Sequence, residues 1–434
     1  MKTRRPLVAG AAAAITAAAL FLGGAFAGGS APSGQAVPGQ GEQLATGFAA
    51  GNTQALVEQL QYGLRSRPDN VRGLDLLGLA YQQRARETGD PSYYVKSQGV
   101  LDRALRLAPG DLEASSGLAS LALSRHRFTL ALRLGRRAVA ISPTTAIGYG
   151  EVGDALLELG RYGEAFRSFN TMARLQPSVS SYARIAYARE LQGRDEAAKE
   201  ALLLARDAAS DEKEPTAWTL MQLGKLELSR GRLASAATYL RASLRTFPGY
   251  VYALDAMAQV DVARGDLRHA TILERRAVET IPLPQFVGLY GDLLKTTGHA
   301  RAARIQYETE DGIRRLLIAN GVQLDLETAL FDVDHGIRLR STVALARKAQ
   351  RERPSIDGDD VLAWALARNG QCREALHYSQ LALRLGTLDS AKLFHRAMIA
   401  SCLGEDARPW ARRAAALNPR FSVLWTTTLR RLAS

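Results

Sequence analysis

Residues 146–177 read AIGYGEVGDALLELGRYGEAFRSFNTMARLQP, and this stretch decides the fold. Tyr149, Val152, Leu156 and Leu159 recur at helical spacing, so the first half forms an amphipathic helix. Gly160-Arg161-Tyr162 interrupts the pattern, because glycine adopts tight-turn conformations that other residues avoid. Ala165, Phe169 and Met172 form the apolar stripe of a second helix, and Pro177 stops it by lacking an amide hydrogen. Two antiparallel helices of roughly a dozen residues cannot bury both stripes by themselves, so copies of the unit must stack.

The copies are present. Pro109, Pro143 and Pro177 lie 34 residues apart, and so do Pro248 and Pro282. Ala131, Ala165, Ala198, Ala236, Ala270 and Ala303 keep step at intervals of 34, 33, 38, 34 and 33. Gly160, Gly193, Gly231, Gly265 and Gly298 mark the turns. Glycine breaks one helix, alanine lets the next approach closely, and proline ends the pair. Further matching groups are Leu77-Gly78 with Tyr81, Leu223-Gly224 with Ala236, and Ala131 with Ala138 and Pro143.

On these residues the chain resembles the tetratricopeptide-repeat (TPR) family over nearly its whole length. The resemblance implies an all-α, right-handed α-solenoid of about ten helix pairs between Val71 and Pro419. It also implies that first helices (A) line a concave groove and second helices (B) form a convex back. Such a scaffold would bind a protein or an extended peptide without doing chemistry. Family positions facing the groove fall on Asp154, Glu158, Tyr187, Glu190, Trp218, Lys225, Tyr252, Asp255 and Asp292. The clamp that some relatives use for chaperone tails needs Lys and Asn together, and Lys225 and Lys295 have no Asn set beside them.

The rest of the chain divides around this array. Residues 1–27 have a basic start and an apolar, Ala-rich run ending in Ala25-Phe26-Ala27, the form of a secretory signal cleaved after Ala27. An uncleaved membrane anchor is the rival, since the run approaches the roughly 20 residues that cross a bilayer. Either way the protein is expected to be exported, outside the cell or on its envelope. Residues 28–43 form a Gly/Pro/Ser linker, 44–70 a half-repeat ending near Pro68, and 71–419 the solenoid. Residues 420–434 form a cap, with Trp425 covering the last apolar face. Irregularities are expected at Glu87–Tyr93, about seven extra residues in the first turn, and at Asp207–Thr216, a long charged connection. The second helix of the seventh pair is extended, Ala302 to Asn320, and the eighth pair, Leu324 to Pro354, lacks the Leu-Gly signature.

With 47% apolar residues the 434-residue chain has ample material for a core, which excludes a disordered protein. Its formal charge of +13 is not spread evenly: basic residues concentrate on the second helices. The groove is therefore expected to be mildly acidic and suited to a basic peptide with apolar anchors. The basic back would make loose, salt-sensitive contact with anionic lipid or wall polymer. Nucleic acid is not an expected partner of an exported chain.

No enzyme motif appears: there is no Gly-x-Ser-x-Gly elbow, phosphate-cradling Gly-x-x-x-x-Gly-Lys or His-Glu-x-x-His, and no cofactor is implied. The densest candidate is Glu327, Asp332, Asp334 and His335, which would either collect a divalent cation or serve as turn and cap partners. A metal carrier built on this cluster, or a dedicated assembly factor of the cell envelope, are the alternatives to a general scaffold. His126 lies between Arg125 and Arg127 in a turn, where a solvated surface is expected rather than an anion site. Cys372 and Cys402 fall in successive repeats but at non-equivalent positions, so an oxidising exterior favours a bridge while the register disfavours it.

Overall fold

The computed structural model describes residues 53–209 and 212–434. The expected signal segment, the linker and the beginning of the half-repeat lie outside the described residues. Among those described there are 22 helices and no strand.

A single helix, α1 (Thr53–Ser66), precedes ten pairs. The first five are α2 (Val71–Thr88) with α3 (Ser92–Leu107), α4 (Leu112–Ser124) with α5 (Phe128–Ile141), α6 (Ala146–Glu158) with α7 (Tyr162–Leu175), α8 (Val179–Leu191) with α9 (Asp195–Ala208), and α10 (Lys213–Ser229) with α11 (Leu233–Thr246). The next three are α12 (Val251–Arg264) with α13 (Leu267–Thr280), α14 (Pro284–Thr296) with α15 (Ala300–Ala319), and α16 (Asp325–His335) with α17 (Leu339–Glu352). The last two are α18 (Ile356–Arg368) with α19 (Cys372–Ala382) and α20 (Ser390–Cys402) with α21 (Arg408–Leu417), followed by α22 (Thr426–Ala433). The architecture is a right-handed α-solenoid.

The periodic residues do the packing. Each alanine of the series from Ala131 to Ala303 is at most 1% exposed, wedged where one helix of a pair crosses the other. At Gly224 a side chain could not exist: a methyl group there would stand 2.6 Å from the side chain of Leu240 on the facing helix. Leu240 fills that space and is fully buried. Trp218, Phe169, Phe286, Trp364 and Phe394 are likewise sealed, each burial stabilising the fold by up to about 3 kcal/mol. Helix starts are fixed by side chains that accept orphan amides, as Asn70 does for Gly73, Asp111 for Ala114 and Ser355 for Gly358.

Two irregularities differ from expectation. The extra residues of the first pair do not form a long turn. They lengthen both helices, so that α2 runs to Thr88 and α3 starts at Ser92 around Gly89, which holds φ +70°. The added turn of α3 puts Tyr94 into a cluster of Val287, Ile313, Leu317 and Leu324 from the seventh and eighth pairs. The charged connection before the fifth pair is also shorter than the sequence suggested, because α10 begins at Lys213.

Candidate functional site

The solenoid winds back onto itself. Tyr162 accepts the amide hydrogen of Ile356 at 2.7 Å, Arg127 donates to the Gly321 carbonyl at 3.2 Å, and Thr387 donates to the Leu191 carbonyl. The partners are 194 to 196 residues apart, between five and six repeats. Each A–B turn of the second to sixth pairs thus meets the end of a pair, or the segment following one, later in the superhelix. Arg230 donates to the Leu388 carbonyl and Arg420 to that of Ala263, at 3.1 Å, continuing the ladder to the end of the chain.

The closest steps use glycines at positive φ. Gly160, Gly193 and Gly231 have φ of +70°, +66° and +69°. A methyl group on each would collide with the carbonyl oxygen of Pro354, Gly386 and Leu417 respectively. In the second pair the equivalent position is His126, which holds φ +57° without being glycine. Its Nδ1 lies 3.0 Å from the Gln323 carbonyl, and its ring stacks on Phe128. Arg125, expected at a solvated surface, is instead 5% exposed and bonded to Gln98 at 2.8 Å. The Arg-His-Arg segment is therefore an internal clasp, and no basic surface patch forms there.

Burial dominates the charges of this seam. Arg353 reaches across it to Glu158 and, on its own side of the seam, to Glu327 at 2.9 Å. Burial raises the Glu158 carboxyl, while Arg353 beside it acts in the opposite direction. Removing one member of such a buried set leaves the others uncompensated, which is far costlier than losing an exposed pair.

This closure determines what became of the nine expected groove residues. Asp154 is buried and grips Arg184 through both carboxylate oxygens, at 2.6 Å for the shortest contact. Glu158 is the seam residue just described, and Trp218 is wholly buried in the core. Asp255 is buried and both its oxygens accept from the Gln259 amide at 3.0 Å. Tyr252 packs edge-on against Phe286. The remaining four, Tyr187, Glu190, Lys225 and Asp292, come together on a cavity of about 460 Å³ between the two turns. Its opposite wall is the second turn: Asp334, Asp357, Asp389, Lys392 and the loop around Phe421. The concave side is thus partly covered, because the A helices of one turn face the next turn across this cavity. The second-turn wall was out of reach of repeat positions, which locate a residue within its own pair and not one turn away.

The acidic cluster around His335 disperses. Glu327 points to Arg353, and Asp332 to Arg338 at 3.1 Å. Asp334 accepts from the indole nitrogens of both Trp364 (2.9 Å) and Trp425 (3.0 Å). His335 sits between the Phe331 carbonyl and Asp292, each at 2.8 Å. Burial works against its charge, but Asp292 and that carbonyl together raise its pKa above the ordinary imidazole value. Among the described residues, no three His, Cys, Asp or Glu side chains are grouped to hold a metal ion. Cys372 and Cys402 do form a disulfide, with Cα atoms 5.8 Å apart, joining the start of α19 to the end of α20. The register argument against it failed because antiparallel neighbours bring a helix start beside a helix end.

The 34-residue helix pairs, their alanine contacts and their glycine turns give the chain a tetratricopeptide-repeat-type α-solenoid fold whose superhelix contacts itself. No protein-family model matches the chain, and no curated protein does. Among solved structures, human IFIT1 as a dimer with m7Gppp-AAAA is 16% identical, with 77% of each chain covered and a TM-score of 0.47. The APC/C hetero-tetramer Cut9-Hcn1 gives 15% identity over 91% of this chain and 62% of that one, TM-score 0.44. A thermophilic TPR protein of Thermus thermophilus gives 23% over 44% and 98%, TM-score 0.39. These likenesses concern the fold alone.

Proposed function

We propose that the protein is an exported, non-catalytic scaffold that holds a partner protein on the back of its first three pairs. The observation that carries this is a row of exposed aliphatic side chains at one position of three successive second helices. Leu107, Ile141 and Leu175 are 42%, 37% and 40% exposed and lie 34 residues apart. The same three helices carry the exposed arginines Arg106, Arg133, Arg136 and Arg167, none of which forms an ion pair among the described residues. Helix α5 has no acidic residue at all. Apolar anchors within a positive field suit an acidic amphipathic segment of a partner. We place the partner on this back and not in the groove, because the second turn lies opposite the first-turn A helices there. The same arginines would give salt-sensitive contact with anionic lipid or wall polymer.

The disulfide supports an oxidising compartment, in keeping with the signal-like first 27 residues. The binding test is a titration of the full chain with one acidic and one basic amphipathic peptide at low and physiological salt. The acidic peptide should bind, weaken with salt, and fail to bind Ile141→Glu combined with Arg136→Glu. Preference for the basic peptide, or binding indifferent to that double change, would overturn the proposal. Capture of a single stoichiometric partner from envelope fractions would make the protein a dedicated assembly factor, and several partners a general scaffold.

A further inference from the structure

The cavity between the two turns has a charge arrangement that the scaffold reading does not use. Most of its ionised lining is already matched. Asp357 and Asp389 hold Lys392 at 2.7 and 3.0 Å. Asp292 serves His335 and Tyr307, Asp334 the two indoles, and Arg420 a backbone carbonyl. Two groups remain. Lys225 of α10 and Glu190 of α8 line the same cavity, and neither side chain makes a hydrogen bond or ion pair among the described residues. Apart from each other, the nearby groups of opposite charge are occupied: Asp255 by the Gln259 amide, and Arg230 by Asp195 at 2.6 Å. Burial lowers the Lys225 pKa and raises that of Glu190, while each charge acts on the other in the opposite direction without a direct ion pair between them.

We propose that this cavity is a binding site for a small zwitterion, a free α-amino acid, whose carboxylate meets Lys225 and whose ammonium meets Glu190. An anion alone would satisfy the lysine but bring negative charge against a lining that already holds more carboxylates than cations. A cation alone would leave the lysine without an acceptor. A zwitterion satisfies both groups and adds no net charge, and charge-assisted hydrogen bonds at both ends are the strong kind. The volume of about 460 Å³ lies within the range of small-molecule sites. Leu289, Val423 and Phe421 on the walls offer apolar contact to a side chain.

The experiment is calorimetric titration of the full-length protein with the standard amino acids, leucine among them. Isopentylamine and 4-methylpentanoate, which are leucine without its carboxylate or without its amine, serve as the single-charge probes. At least one amino acid should bind, with both probes weaker than leucine-type ligands by at least about tenfold for each missing end. Lys225→Met and Glu190→Gln should each weaken amino-acid binding by a similar factor while the melting temperature holds, since neither side chain is tied into an ion pair or hydrogen bond among the described residues. Absence of binding by every amino acid, equal binding of a single-charge probe, or unchanged affinity in both folded variants would overturn the proposal. None of these outcomes depends on the partner surface of the first three pairs.

Discussion

If the two turns are interlocked through glycine, then identical substitutions at equivalent turns should have unequal costs. Gly193 and Gly298 both end an A helix with positive φ, +66° and +88°. A methyl group on Gly193 would stand 2.6 Å from the Gly386 carbonyl oxygen, whereas one on Gly298 would meet nothing within 4 Å. The left-handed conformation alone costs an alanine roughly 1–2 kcal/mol, and that part is common to both sites. Forcing apart a close backbone contact adds about 1–3 kcal/mol at Gly193 only. Gly298→Ala should therefore destabilise by about 1–2 kcal/mol and Gly193→Ala by about 2–5 kcal/mol.

Urea unfolding of the full chain followed by circular dichroism measures the total. Amide exchange near Thr387 and Leu388 reports whether the seam opens before the helices melt, since Thr387 is tied to the Leu191 carbonyl. Gly231→Ala, facing the Leu417 carbonyl at 2.5 Å, should repeat the Gly193 result. Equal losses at Gly193 and Gly298, with no faster exchange at Thr387, would refute the interlock and return the molecule to an open spring.

Three further outcomes follow from the same structure. Asp75 is buried, and burial followed by the nearby Asp111 and Glu113 carboxylates raises its pKa to about 7 from 3.8. A folded-state pKa above the unfolded one means the folded state holds the proton longer, so this group's effect turns destabilising as pH rises from about 4 to about 7. Asp75→Asn should thus match the native protein near pH 4 and exceed it at pH 8, by at most about 4 kcal/mol in denaturant titrations. Reducing Cys372–Cys402, which closes a 30-residue span, should lower stability by about 3–4 kcal/mol in the chain-entropy picture, and an unchanged melting curve with reductant would contradict it. Arg353→Met leaves Glu158 and Glu327 buried without their cation and should cost about 3–5 kcal/mol, with Glu158→Gln added to the variant recovering part of the loss.

What could be seen in the sequence divides along a physical line. A helix pair is a local object: the Ala165 contact, the Gly160 turn and the Pro177 stop all act within one 34-residue span, so their spacing revealed them. The seam is made by residues 157 to 196 positions apart that share no pattern, such as Tyr162 with Ile356 and Arg420 with Ala263. A single clue was present. His126 occupies the place where the later turns have glycine, and a non-glycine residue at positive φ persists only when its surroundings hold it there. Its surroundings are the Gln323 carbonyl and Phe128, so the one break in the glycine series marks the start of the ladder. The same reasoning explains the fate of the groove. Glu190 and Lys225 line the cavity between the turns, but the pitch that decides between an open groove and a partly covered one accumulates from small rotations at every pair. No single pair records that sum. The extra turn of α3, which carries Tyr94 into the cluster of the seventh and eighth pairs, shows the consequence: an insertion that looks like a loop in its own repeat becomes a packing element of another.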